Sequence, residues 1–254
     1  MDLTSDNLQR LLAFPFRGPD WATRLGIGAL LIVVGWVIPI IPWLIVTGYA
    51  VQIARRVAVE GADPQLPAWT DWSIYLIDGF KLAVARFVMA LPFVVVFMIA
   101  YGVMFGGTLT GAILGEAGGR DTRELGALIA VLSSLAGTGL LLLAIPLVLV
   151  VSLILPVPSM HVIVTGRIGA IFRFGEWWRI LRADLGAWAI GYLVLIAIGL
   201  VVNLATSVAF FTLILCVVLP FVLVAYMVYS ILVTEVVFAQ AYRSASLKLA
   251  GGAG

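Results

Sequence analysis

Few side chains in this sequence are placed to do chemistry, and those few form no recognisable catalytic set. His161 is the single histidine and Cys216 the single cysteine. Ser152 and His161 come nearest to a nucleophile–base pair, but no acid stands at a spacing that would orient the imidazole. One histidine without a second is a poor start for a metal or haem site, and one thiol cannot build a thiolate cage. Cys216 lies deep in an apolar run and reads as a small buried hydrophobe. Gln52, Asn203 and Glu235 are the main polar groups near the ends of apolar blocks, so a site around Glu235 and His161 is the only enzymatic alternative. There is no HExxH, no Walker loop and no acidic pair at mid-membrane depth. The expectation is therefore a protein that is not an enzyme, with no catalytic residue, no cofactor and no metal.

The elements that carry these residues are of one kind. Of 254 residues, 63% are hydrophobic and 11% charged, far from the roughly one-quarter charged composition of soluble domains. The apolar residues come in blocks of about 18 to 30, long enough to cross a hydrocarbon core of roughly 30 Å. A formal charge of +2 gives no reason to expect nucleic acid as a partner. Asp2, Asp6, Arg10, Arg17 and Asp20 break up the first 20 residues, so no cleavable signal peptide is expected.

The first apolar block, residues 21–59, is interrupted by Pro39-Ile40-Ile41-Pro42. Two prolines three apart disfavour a continuous helix, and a tight hairpin is expected there; one long kinked helix is the alternative. Three hairpins follow, at about 21–59, 83–155 and 186–237. This puts Arg10, Arg17, Arg24, Arg55, Arg56, Lys81, Arg86, Arg167, Arg173, Arg179, Arg182, Arg243 and Lys248 on one side, 13 of the 15 basic residues. Only Arg120 and Arg123 fall on the other, which satisfies the positive-inside rule. The fold class expected is an all-α, multi-pass protein of the cell membrane, one polytopic domain of about six transmembrane helices, with both termini cytoplasmic. Gly102 and Gly106 offer a GxxxG contact. A charged loop from Gly106 to Glu124, a last turn near Asn203 to Ser207 and a mobile tail after Tyr242 complete the plan.

Each hairpin is preceded by a cytoplasmic interfacial segment, at about 3–14, 67–81 and 168–184. In the first, Ser5 or Asp6 is a cap candidate and Leu8, Leu11 and Leu12 share a face. In LPAWTDWSIYLIDGFK, Trp69, Trp72, Leu76 and Phe80 recur at three and four, a helical apolar stripe with Asp71 and Asp78 opposite and Lys81 nearby. In GAIFRFGEWWRILRADLG, Ile171, Phe174, Trp178, Leu181 and Leu185 make the stripe, with Arg173, Glu176 and Arg179 elsewhere. Such helices suit the membrane–water boundary. Asp71, Asp78 and Glu176 either solvate a wet face and pair with Arg86 and Arg179, or join Lys81, Arg173, Arg179 and Arg182 as a rim for partners. Membrane lipids with anionic head groups and a protein at the cytoplasmic face are the partners such a rim suits.

Several of these residues carry a family resemblance. Gly48-Tyr49, Arg55-Arg56, Leu66-Pro67, Asp71-Trp72, Asp78-Gly79-Phe80-Lys81 and Leu91-Pro92 follow one another in an order that resembles the membrane family known as domain of unknown function 4013. The resemblance implies an integral membrane protein and assigns no functional residue. More distantly, the plan is similar to the membrane domain attached to some glycerophosphodiester phosphodiesterases. No stretch of this sequence corresponds to the phosphodiesterase part, so that chemistry is not implied.

Two functions remain in view. A non-enzymatic scaffold or assembly factor is expected first. A transporter or permease-like protein for an apolar or lipid-like substrate is the alternative, and a groove open to lipid between helices would favour it.

Overall fold

Pro39 and Pro42 stop the first apolar block from continuing as one helix, and the computed structural model shows how. It describes residues 5–210 and 213–251, with side chains at 9–116, 118–210 and 218–251. Helix α2, Trp21–Val34, ends in a turn, and α3, Ile41–Arg55, starts afresh. Between them Ile40 sits at φ 80°, ψ −65°, and the Ile41 N–H donates to the Pro39 carbonyl at 3.1 Å. That is a γ-turn of the rare positive-φ kind, held by a β-branched residue that ordinarily avoids it. The two-helix reading of residues 21–59 is the correct one; a single kinked helix is not formed.

Helix α1, Ser5–Ala13, runs into a 3-10 turn at Phe14–Phe16. Leu11 and Phe14 are buried and Leu12 is half-buried. Residues 3 and 4 of the expected segment, and the side chains of Ser5, Asp6 and Leu8, lie outside the described residues. Helix α3 passes into a π-helical turn, Arg56–Glu60.

Helix α4 departs from expectation. It runs unbroken from Trp72 to Ala117, so the expected separate helix at 67–81 and the span at 83–105 are one element, and Trp69 lies in the extended segment before it. No glycine or proline separates Lys81 from the apolar run, and the first turns simply propagate. Helix α5, Arg120–Ile154, follows after only Gly118 and Gly119. The loop expected at 106–124 is mostly helix. Pro92 and Pro146 stand inside these helices, as prolines do where neighbouring helices support the freed carbonyls.

Helix α6, Pro156–Thr165, begins on a proline, a residue preorganised for a helix's first position. A 3-10 turn at Ile168–Phe172 leads to α7, Phe174–Ala183, then α8, Leu185–Phe210, and α9, Leu213–Gly251. Asn203 to Ser207, expected as a turn, is helical, and the Ser207 hydroxyl donates to the Asn203 carbonyl at 2.8 Å. The tail after Tyr242, expected to be mobile, is helix through Gly251 with Ala245 fully buried. Its last three residues, and the side chain of Cys216, lie outside the described residues.

The chain forms two compact units, Met1–Ala85 with Pro156–Gly254, and Arg86–Leu155. In the first, α3 and α9 are central. Val46, Tyr49 and Ile53 of α3 and Val57 of the π turn are buried, as are Leu232, Val236, Ala239 and Ala245 of α9, and α9 packs against α1, α2, α3, α6, α7 and α8.

The second unit is a helical hairpin with a seam of small residues. A Cβ on Gly111 would fall 2.4 Å from the Gly126 carbonyl oxygen, and one on Gly137 would fall 2.7 Å from that of Ala100. Gly107 meets the Ser133 side chain in the same row. Gly102 and Gly106, the expected contact pair, have open space at their Cβ positions. The helix rotates by about 100° per residue, so a GxxxG spacing alone does not say which face meets the partner.

Four helical stretches are long and apolar enough to cross a membrane: 72–116, 120–165, 185–210 and 218–251. Large apolar side chains such as Leu142, Leu143, Leu193 and Leu200 project outward from them, the distribution expected of surfaces that meet lipid rather than water.

Candidate functional site

Of the residues that carried the family resemblance, Gly48-Tyr49, Arg55 and Asp78-Gly79 meet at the crossing of α3 and α4. Gly48 and Gly79 bring the two backbones together: a Cβ on Gly48 would lie 1.7 Å from the Tyr75 carbonyl oxygen, and one on Gly79 1.9 Å from that of Leu44. One and two turns along α3 from Gly48, Gln52 and Arg55 point at Asp78. The Gln52 amide donates to Asp78 Oδ2 at 2.5 Å and Arg55 Nη1 at 2.9 Å, while Lys81 Nζ stands 3.6 Å from Oδ1. Arg55 Nε also donates to the Ile163 carbonyl at 2.8 Å, tying α6 to the same cluster.

Asp78 is therefore 7% exposed, and its expected place on a wet face is corrected. A buried carboxylate is tolerable only when paired and hydrogen-bonded, and here both conditions are met. The apolar stripe looks the other way: Trp72 and Phe80 are 43% and 54% exposed. The outward apolar stripe is what an interfacial helix requires; the departure lies in the charged face, where Asp78 turns to protein rather than to water.

Above this crossing, Trp69 lies flat on Tyr49, ring centroids 3.9 Å apart and planes 6° from parallel. Its indole N–H donates to the Arg24 carbonyl at 3.0 Å, and the Tyr49 hydroxyl donates to the Pro67 carbonyl at 2.7 Å. The Arg24 guanidinium donates to the Leu66 carbonyl. The extended segment 61–71 is held to α2 and α3 through these contacts. Asp71 stays exposed beside Thr70, and its carbonyl accepts the Tyr75 N–H as α4 begins.

A second polar group forms where α6, α7 and α9 meet. His161 Nδ1 is 2.9 Å from the Tyr242 hydroxyl and Nε2 is 3.0 Å from Glu176 Oε2. Nε2 donates to the carboxylate, and Nδ1 meets the tyrosine hydroxyl, which can donate or accept. His161 therefore has a carboxylate partner that its local sequence does not indicate, and Tyr242 meets its other ring nitrogen. Arg173 Nη1 stands 3.3 Å from Glu176 Oε1. Burial pushes the Glu176 carboxyl up, but the hydrogen bond from His161 and the Arg173 charge outweigh it, and its pKa lies below the ordinary value.

The expected stripe on 168–184 also faces outward. Ile171 is buried, but Phe174, Trp178 and Leu185 are exposed and Leu181 is half-buried, whereas Trp177 and Ile180 make the contact with the bundle. The Arg182 guanidinium lies 4.9 Å from the centre of the Trp178 ring, a cation–π arrangement. Arg179 Nε donates to the Gly175 carbonyl and does not pair with Glu176.

Asp184 was not singled out by its sequence. It precedes α8 and accepts from the Ala187 N–H at 3.2 Å, an N-cap contact. It also accepts from the Ser244 hydroxyl at 2.6 Å and pairs with Lys248 at 2.8 Å. Burial raises its pKa, the Lys248 and Ser244 contacts lower it by more, and the net shift is downward. Glu235, read as lying near a boundary with water, is buried in α9 at 3% exposure. These polar positions were legible only as i, i+3 pairs, Gln52 with Arg55 and Asp78 with Lys81, on helices that otherwise look uniformly apolar.

Alongside these polar groups, the first unit has an apolar groove of about 660 Å³ between α2, α8 and α9. Trp21, Leu25 and Ala29 form one wall, Val202 and Ala205 another, and Leu219, Leu223 and Tyr226 the third. The second unit has its own apolar groove of about 500 Å³, between Phe93, Phe97 and Tyr101 on α4 and Val148 and Val151 on α5. Among the described residues, no three His, Cys, Asp or Glu side chains gather where they could hold a metal ion.

No curated protein matches the chain, and neither does any solved structure. The model of one family, described as a protein of unknown function (DUF4013), matches residues 31–211. That interval contains the Gly48–Gly79 crossing, the Asp78 cluster and the Trp69–Tyr49 stack. The chain belongs to the DUF4013 family.

Proposed function

We propose that this is a multi-pass membrane protein that binds a lipid-like apolar chain in the groove between α2, α8 and α9. The groove's volume is the observation that carries this reading. At about 660 Å³ it falls in the range of small-molecule sites, and its walls are almost wholly apolar. Helices α8 and α9 have the length and composition of membrane spans, so an acyl chain is the ligand at hand. No reaction is assigned: the protein holds its ligand and does not transform it.

The topology in this reading is the three-hairpin one with cytoplasmic termini, favoured by the clustering of basic residues. Helix α3 and its π turn, 41–60, reach about 30 Å at 1.5 Å per residue, whereas α2 reaches about 21 Å. Helix α7 lies at the cytoplasmic boundary with Phe174 and Trp178 in the acyl region and Arg173, Arg179 and Arg182 among the head groups.

A phospholipid carrying a photoreactive acyl chain tests the proposal. Crosslinks concentrated on Trp21, Leu25, Ala205 and Tyr226, and lost in Ala205→Trp, are expected. Labelling no stronger there than at outward residues such as Leu142 and Leu143 would mean that only annular lipid is present.

A further inference from the structure

Two cavities of the first unit share one short stretch of chain. Phe16, Trp21 and Leu25 line the apolar groove, whereas Phe14, Arg17 and Arg24 line a second cavity of about 690 Å³, together with Arg10 and the segment 63–66. Arg17 and Trp21 are four residues apart. A chain spans at most about 3.5 Å per residue, so the two linings approach to within about 14 Å. One amphiphile can bridge that distance with its head in one cavity and its chain in the other.

The second cavity is basic. Arg10, Arg17 and Arg24 contribute three guanidinium groups against one carboxylate in the lining, Asp63. Arg24 is partly committed, to the Leu66 carbonyl and to exposed Asp20 at 3.4 Å. Among the described residues, the guanidinium groups of Arg10 and Arg17 make no ion pair or hydrogen bond. Planar donor forks of this kind match phosphate oxygens two at a time. A cationic head group would meet three like charges here and a single acid.

We infer that Arg10, Arg17 and Arg24 hold the phosphate of an anionic membrane phospholipid whose acyl chain occupies the α2–α8–α9 groove. This rests on the groove reading above and adds the class of head group. The extended segment that carries Asp63 and Leu66 closes one side of the head-group cavity. The Trp69 indole holds that segment to the Arg24 backbone, so cavity shape depends on the same contacts that order the α3–α4 crossing.

Native mass spectrometry of the detergent-solubilised protein, titrated with phosphatidylglycerol and with phosphatidylcholine of identical acyl chains, tests it. Wild type is expected to retain one phosphatidylglycerol in preference to phosphatidylcholine. Arg10→Gln with Arg17→Gln is expected to reduce that preference roughly 30-fold, taking about a factor of five for each charge, because phosphatidylcholine, whose choline offsets its phosphate charge, loses far less. Arg10→Lys with Arg17→Lys should restore most of it. These side chains are exposed, and circular dichroism confirms that the variants keep their helices.

Equal retention of the two lipids by wild type overturns the head-group assignment and leaves the groove reading intact. Full preference in the double Gln variant overturns the assignment to these arginines. Loss of phosphatidylglycerol to millimolar inorganic phosphate, with no effect of Ala205→Trp, shows a site for free phosphate and overturns the lipid form. Retention of neither lipid defeats the groove reading itself.

Discussion

Gly48 of α3 and Gly79 of α4 face each other with no room for a side chain on either: each Cβ position lies under 2 Å from a carbonyl oxygen of the opposite helix. Within a membrane, apolar side chains gain little by leaving lipid for protein, so helix association depends on close packing and polar contacts. The glycine crossing supplies the first and places Asp78 and Arg55 for the second. Gly48→Ala or Gly79→Ala should destabilise the fold by about 1–3 kcal/mol or more, the cost of overpacking against backbone that cannot rotate away. Thermal unfolding in detergent measures this, and a melting temperature unchanged in both variants would contradict the packing described.

Asp78 pairs with Arg55 at 2.9 Å. Asp78→Ala leaves a guanidinium at 29% side-chain exposure without its counter-charge. Removing one partner of such a pair is expected to cost about 3–5 kcal/mol, with the low end favoured by residual solvent access. A double-mutant cycle with Arg55→Ala separates the pair from the Arg55 contact to Ile163. Strictly additive effects would show that the two side chains do not couple.

Ile40 holds a positive φ that its branched side chain disfavours, and it is exposed at the γ-turn. Residues in such conformations cost about 1–3 kcal/mol, and glycine relieves the strain while losing some backbone entropy on folding. Ile40→Gly should therefore leave stability unchanged or raise it by about 1 kcal/mol, whereas glycine at most helix-flanking positions would lower it. A clear fall in melting temperature would argue against the turn.

The lowered pKa of Asp184 predicts how the end of α9 responds to acid. A carboxylate whose folded pKa lies below its unfolded value contributes stability that is fully present above the unfolded value. That contribution disappears as pH falls through the folded value, so protection should be flat from pH 8 to 5 and fall only below the usual Asp range near 3.9. Hydrogen exchange of residues 243–251 reports it, with Asp184→Asn expected to abolish the acid step and to weaken protection at neutral pH. A wild-type step at pH 6–7 would assign the transition to another group.

In the second unit, Gly126→Leu should separate the hairpin arms, because a Cβ there already lies 2.5 Å from the Gly111 carbonyl oxygen. The same change at Gly102, where nothing lies within 4 Å, is expected to be neutral. Thermal unfolding in detergent compares the two variants, and equal melting temperatures would contradict the seam.

Composition and block length by themselves point to helices suited to a membrane, since apolar runs of about 18 to 30 residues are too long and too evenly apolar for barrel strands, which alternate. Pro39 and Pro42 likewise mark a helix break, because two rings three residues apart remove donors from neighbouring turns, whereas the single prolines at 92 and 146 stay within helices. Which way each helix faces is a different matter. The stripe Trp72, Leu76, Phe80 and the opposed Asp78 are plain in the sequence, but periodicity says only that two faces differ, not which one meets protein. Tertiary structure decided that Asp78 turns inward, because Gln52 and Arg55 arrive from a helix more than 20 residues away. It also decided that 203–207 and 243–251 stay helical and which glycines form the hairpin seam. Those outcomes depend on contacts between segments distant in the chain, and local spacing carries no information about them.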